Sequence, residues 1–237
     1  LSGVAIHAFV FLANHYHLLV SVSDAAQLAK FVGFLNSNLA REVGRIHEWT
    51  ERLWGRRYQA ILVSEEEVSQ VERLLYLARQ GCKEGLVADP LDWPGATSWQ
   101  AMLDGRLLQG VWFDRTAEGL AQRKGTDSGA RKFASPETVG LTPLPAWAHL
   151  EPEVQRARLR ELLDLARAEA QAMRQETGRE PLGLEAVVRQ HPHRSPARSK
   201  KSPAPLVHAA SRQLRRAYRE AFRLFTAAYR RAAEALR

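Results

Sequence analysis

Apolar residues dominate positions 4–12, interrupted only by His7, and a second such run covers 15–22. Ala13 and Asn14 stand between them as a two-residue connection, with Asn tolerant of positive φ, so the pattern predicts an antiparallel β-hairpin. Asp24 is placed to cap a helix running to about Arg45, with Leu28, Phe31, Val32, Leu35, Leu39 and Val43 along one face. Residues 58–63 read as a third strand. Ser64 with Glu67 forms a capping-box pattern, and three acidic residues there suit the positive end of a helix dipole, which predicts a helix over 65–82. Gly85, Pro90 and Pro94 mark irregular chain, and the Gly, Ser and Lys content of 119–135 predicts a linker or mobile loop. Pro152, at a first-turn position, opens a long helix ending near Gly178. The stretch 191–205 is rich in Pro, Ser and Lys and is expected to be extended or disordered, and a last amphipathic helix is expected over 207–237. No internal repeat is present. Strands clustered early and helices late give an α+β class, an antiparallel sheet with helices on one face followed by a mostly helical C-terminal region.

Composition narrows the picture. Hydrophobic residues make up 45% of the 237 and charged residues 25%, an ordinary globular balance. No apolar run is long enough to span a bilayer and no secretory signal opens the chain, so no membrane partner and a cytoplasmic location are expected. The lone Cys82 excludes a disulfide framework and a Cys-rich zinc module. The chain opens on Leu1 rather than Met and enters a strand-like segment almost at once, so it reads as the remainder of a longer frame. The net charge of +8 is uneven: from Arg189 onward thirteen Lys and Arg face only Glu220 and Glu234, leaving +11 on this tail and −3 on everything before it. Such a tail suits a polyanion, nucleic acid being the usual one, or else a solvated helix face.

His15 and His17 are two apart on a predicted strand, so both imidazoles leave one face of the sheet, where they can chelate a divalent metal or simply pack. Tyr16, Leu18, Val20 and Val22 are expected to point the other way, into a core. Tyr76 and Gln80 are four apart on a predicted helix and share a face. Gln80 can offer an amide oxygen as a third ligand with Tyr76 one turn from the metal; equally, Tyr76 can pack against the sheet.

The segment Asn14-His15-Tyr16-His17-Leu18-Leu19-Val20 resembles the HUH box (His, bulky hydrophobe, His) of the REP-associated tyrosine transposases, members of the single-tyrosine transposases of small insertion sequences. Trp54-Gly55-Arg56-Arg57-Tyr58 is similar to the family's Trp-x-x-Arg-(Tyr/Phe) segment. The run from Tyr76 through Gln80 and Lys83 to Gly85 is similar to Tyr-Ile-x-x-Asn-Pro-Val-Arg-Ala-Gly, and Asp92-Trp93-Pro94 followed by Thr97-Ser98 to the segment that closes the family domain. The four occur in the family's order and span residues 1–103.

The resemblance implies a ferredoxin-like HUH domain over 1–103, then an irregular linker over 104–150 and a basic helical extension over 151–237. It implies Tyr76 as nucleophile, His15, His17 and Gln80 as ligands of Mg2+ or Mn2+, and a phosphotyrosine route for cutting and rejoining single-stranded or hairpin DNA. Arg56, Arg57, Lys83, Arg212, Arg215, Arg216 and Arg219 are candidates for DNA backbone contact, and a monomer or homodimer is expected. His191 and His193 form a second His-x-His in a Pro-rich stretch where no metal is expected. Ala13, Gly81 and Cys82 depart from the family pattern, and the last two are expected to loosen the end of the catalytic helix. The family's first strand and helix are missing, so the chain is expected to be less stable than a frame that includes them, and equal melting midpoints would defeat this expectation. Two other functions compete: a DNA-binding remnant that recognises hairpins without cutting, and a zinc-type hydrolase using the His pair.

Overall fold

The computed structural model describes residues 3–126, 129–191 and 206–235. Two strands, β1 (Ala5–Phe11) and β2 (Tyr16–Ser21), pair antiparallel with Val10 opposite His17 and Phe11 opposite Tyr16. The turn closes through Leu12 N–H on the His15 carbonyl at 2.8 Å, and Asn14 does not take the positive φ expected of it, since Glu48 is the non-glycine residue that does. Helix α1 (Ala25–His47) starts where Asp24 predicts, the Asp24 carboxylate accepting from Gln27 N–H at 2.7 Å.

The third predicted strand shrinks to β3 (Leu62–Val63), which pairs in parallel with β6 (Val207–His208) near the far end of the chain rather than with the hairpin. Residues 55–60 are mostly exposed, and no strand among the described residues pairs with them to hold them extended.

Helix α2 (Glu67–Ala78) is shorter than the predicted 65–82. The capping box does not form: the Glu66 carboxylate accepts instead from the Ser64 and Ser69 hydroxyls and from the Ala210 and Ser211 N–H groups. At the other end Gly81 adopts a φ of +83°, and a Cβ there would lie 3.1 Å from the Trp93 ring, so a side chain is disfavoured twice over. Gly81 and Cys82 therefore make a tight, buried helix end rather than a loose one, with Cys82 2% exposed.

The Asp92–Ser98 segment serves as a partial third strand on the outer edge of β1. Phe11 N–H meets the Ala96 carbonyl at 2.9 Å, Ser98 N–H meets the Phe9 carbonyl at 3.1 Å, and Val10 bridges Thr97. Trp93 Nε1–H donates to the Phe11 carbonyl at 2.7 Å, and Gly95 lets the chain pass so close that a Cβ would sit 2.6 Å from that same oxygen.

After α3 (Trp99–Asp104), the stretch expected to be an irregular linker carries structure of its own. A hairpin of β4 (Leu108–Phe113) and β5 (Ala134–Val139) encloses α4 (Arg115–Arg123), capped by Asp114. Helix α5 (Pro152–Thr177) has Pro152 in its first turn and Gly178 as its left-handed cap, as predicted. Then come the short α6 (Leu184–Val188) and the final α7 (Arg212–Ala235). The 192–205 stretch, including His193 of the second His-x-His, lies outside the described residues.

The core lies between the hairpin, α2 and α5. Ala8, Val10 and Leu19 from the strands meet Leu74, Leu75, Leu77 and Ala78 of α2, whose other side receives Leu159, Leu163, Ala166 and Ala170 of α5. This reverses one expectation: Leu19, which shares the strand face of His15 and His17, is buried in the core, while Tyr16 on the opposite face donates to Asn36 of α1 at 2.7 Å. The histidine face is the one that α2 covers. Among the described residues no helix is long and apolar enough to cross a membrane.

Candidate active site

Alternation along β2 sends the His15 and His17 rings off one face of the hairpin, 5.0 Å apart between centroids. Helix α2 crosses that face and presents Tyr76, whose ring stands edge-on to His17 at 5.3 Å. Two cations border the same ring. Lys83 Nζ lies 4.5 Å from its centroid and the Arg73 guanidinium carbon 5.3 Å. The histidine pair and the tyrosine thus come together within one chain.

The electrostatics keep both imidazoles neutral. Burial lowers the His17 pKa from 6.5 to about 4, with the neighbouring His15 and Lys83 adding to the effect. Burial also lowers that of His15, opposed by the charge of Glu84. His17 Nε2 is buried and has no hydrogen-bond partner, whereas His7 on β1 is satisfied by the Thr142 carbonyl and the Ser21 hydroxyl and is a packed core histidine. His15 Nδ1 lies 2.6 Å from Asn14 Oδ1, which orients the ring. Two neutral imidazoles, one oriented by an amide and one with an orphaned nitrogen, fit a divalent cation.

Gln80 is placed differently from the expected helical face. It sits in the turn after α2, 3% exposed, with its side-chain nitrogen donating to the Tyr76 carbonyl at 2.8 Å. That bond fixes the amide against the backbone of Tyr76. Among the described residues no three His, Cys, Asp or Glu side chains gather where they could hold a metal, so the acid or third histidine that a zinc hydrolase needs is lacking there.

The other candidates spread out. Arg56 and Arg57 are exposed in the loop after Trp54, which is itself pinned to the Asn36 carbonyl at 2.9 Å. Arg212, Arg215, Arg216 and Arg219 are exposed along α7 and do not join the tyrosine. Sequence reasoning missed two residues. Arg73 stands three before Tyr76 on the same helical face, and that spacing was the available signal. Asn14 is legible as a turn residue and as the start of the HUH-like segment, but not as the partner of the His15 ring. Cys82, whose thiol burial pushes up to about 12, is chemically quiet.

Comparison with curated proteins and with solved structures returned no match. Residues 2–80 match the family described as Transposase IS200 like. That match takes in the hairpin, the histidine pair, α2, Tyr76 and Gln80, so over residues 2–80 the chain is similar to the IS200-like transposases.

Proposed function

We propose that the chain cuts and rejoins single-stranded, hairpin-forming DNA through a covalent link to Tyr76. The observation that carries this reading is the Tyr76 ring 5.3 Å from a His17 ring whose buried Nε2 has no partner. The Tyr76 hydroxyl oxygen attacks a phosphodiester phosphorus. The new bond joins tyrosine to the 5′ phosphate, the bond to the 3′ oxygen breaks, and that oxygen leaves as a hydroxyl carrying the proton the phenol gives up. Because the phosphotyrosine ester keeps the bond energy, reversal by a 3′ hydroxyl rejoins the strand without ATP.

A phenol has a reference pKa of about 10 and is a weak nucleophile unassisted. His15, His17 and the Gln80 amide oxygen would hold Mg2+ or Mn2+, which when bound withdraws charge from the phosphate. The packing of Tyr76 against His17 restricts its ring, so the hydroxyl meets the phosphate in a fixed direction. Lys83 neutralises charge at the same place. Arg56 and Arg57 on the exposed loop, and Arg212, Arg215, Arg216 and Arg219 on α7, bind the strand backbone away from the cut.

Labelled single-stranded hairpin DNA incubated with the protein and Mg2+ or Mn2+ should give a protein–DNA band that survives denaturation, and Tyr76→Phe should remove it. A Tyr76→Phe protein that still forms the band overturns the assignment. A mobility shift without a covalent band would mark a DNA-binding remnant, and neither would favour the hydrolase.

A further inference from the structure

We propose that Arg73 is a second phosphate-binding residue beside Tyr76, and that His208 of the C-terminal segment is the positioning residue that holds it there. The inference rests on the reading of Tyr76 as nucleophile and adds a phosphodiester contact that no sequence motif marked.

Arg73 differs from its neighbours in lacking an acid. Arg79 is paired with Glu169 through two hydrogen bonds, Arg158 with Glu67, and Arg167 with Asp89 and Asp164. Among the described residues no carboxylate pairs with Arg73, yet it is half-buried and its Nε is buried without a partner. Burial is also the main influence on its pKa, lowering it, with Glu72 and Tyr76 opposing. A guanidinium in that condition costs free energy unless an anion completes it. Among the described residues its polar contact is His208 Nε2, 3.3 Å from Nη1. Burial and the Arg73 charge lower the His208 pKa, so the ring is neutral and accepts from the guanidinium.

His208 is itself firmly placed. It lies opposite Val63 in the β3–β6 pair, its carbonyl accepts from Ser64 N–H at 2.8 Å, and the next turn is tied down by Ala210 and Ser211 N–H on Glu66. The C-terminal segment therefore reaches back to the catalytic helix and aims one guanidinium along the face that bears Tyr76. With Lys83 on the same ring, a phosphodiester at the Tyr76 hydroxyl meets two cations, one of them a planar fork suited to two phosphate oxygens.

The full chain, 15N-labelled and supplied with Mg2+, is titrated with the dinucleotide dTpdT and with its uncharged methylphosphonate analogue. The buried Arg73 Nε–H resonance, identified by its loss in Arg73→Lys, is expected to move with dTpdT and to stay with the analogue. No movement, or equal movement with both, overturns the proposal. His208→Ala should weaken that response about tenfold and His208→Gln, which keeps an acceptor, should restore it; an unchanged His208→Ala response removes the positioning role. In adduct formation at saturating hairpin DNA, Arg73→Ala should be about 100-fold slower with an unaltered melting curve. If dTpdT moves the resonance while wild type forms no adduct, the phosphate site stands and the transposase reading falls. If adduct forms at the wild-type rate in Arg73→Ala, the reverse holds.

Discussion

Acidifying the metal-free protein should cost stability through His17 at a pH well above the carboxylate range. The ring has a pKa of about 4 in the fold against an ordinary 6.5. Between those values the unfolded chain binds a proton that the native state refuses, so stability falls as pH drops from 6.5 to 4 and is level above and below. Each tenfold change in proton affinity is worth about 1.36 kcal/mol, which sets a ceiling of roughly 3.4 kcal/mol for this interval. The ring is only partly enclosed, and solvent screening reduces the expected loss to roughly 1.5–2 kcal/mol. The measurement is urea unfolding in EDTA at several pH values for wild type and His17→Phe, a substitution that keeps an aromatic edge toward Tyr76 and cannot titrate. Glu42 and His208 titrate in both proteins, so the difference between the curves reports His17 together with its coupling to His15. The wild-type curve should lose those 1.5–2 kcal/mol relative to the variant on going from pH 6.5 to 4. Parallel curves would refute the argument that burial keeps this imidazole neutral.

Three further outcomes are expected. Leu74→Ala removes a fully buried side chain (0% exposed) from between the hairpin and α5, and should lower unfolding free energy by about 3–4 kcal/mol in denaturant melts. Glu66→Gln should speed hydrogen exchange at the Ala210 and Ser211 amides while leaving α5 amides unchanged, because the carboxylate is what anchors the start of α7. Replacing Arg212, Arg215, Arg216 and Arg219 by Ala should reduce the salt slope of single-strand binding by roughly 3, and an unaltered slope would remove α7 from the DNA path.

What the sequence made legible was local. Asp24 caps α1, Pro152 and Gly178 bracket α5, and the two apolar runs make the hairpin, because in each case the deciding interactions lie within a few residues. The same holds for the histidine pair on its strand and for Tyr76 on its helix. Readings failed where distant chain decides. The capping box at Ser64 and Glu67 lost to a Glu66 carboxylate engaged by residues 210 and 211, and the strand expected over 58–63 kept only the two residues that β6 pairs. Arg73 was passed over because its partner His208 is 135 residues away. The direction of the core was misjudged for a different reason. Strand alternation separates two faces but does not say which one a helix will cover, and here α2 settled the matter by packing on the histidine side. The 108–139 hairpin escaped notice because its strand faces are largely exposed and so carry little hydrophobic alternation.

Helix α5 backs onto α2 with Leu159, Leu163, Ala166 and Ala170, and its Glu169 grips Arg79 at the end of the helix that bears Tyr76. The helix that carries Tyr76 is therefore a front wall whose supporting rear wall is translated much later in the chain. A fragment cut after residue 103 would leave the face of α2 that α5 covers open to water, and would be sticky and poorly folded rather than minimal. The smallest piece worth expressing runs at least to Gly178, and during synthesis α2 cannot settle between the hairpin and α5 until that point has left the ribosome.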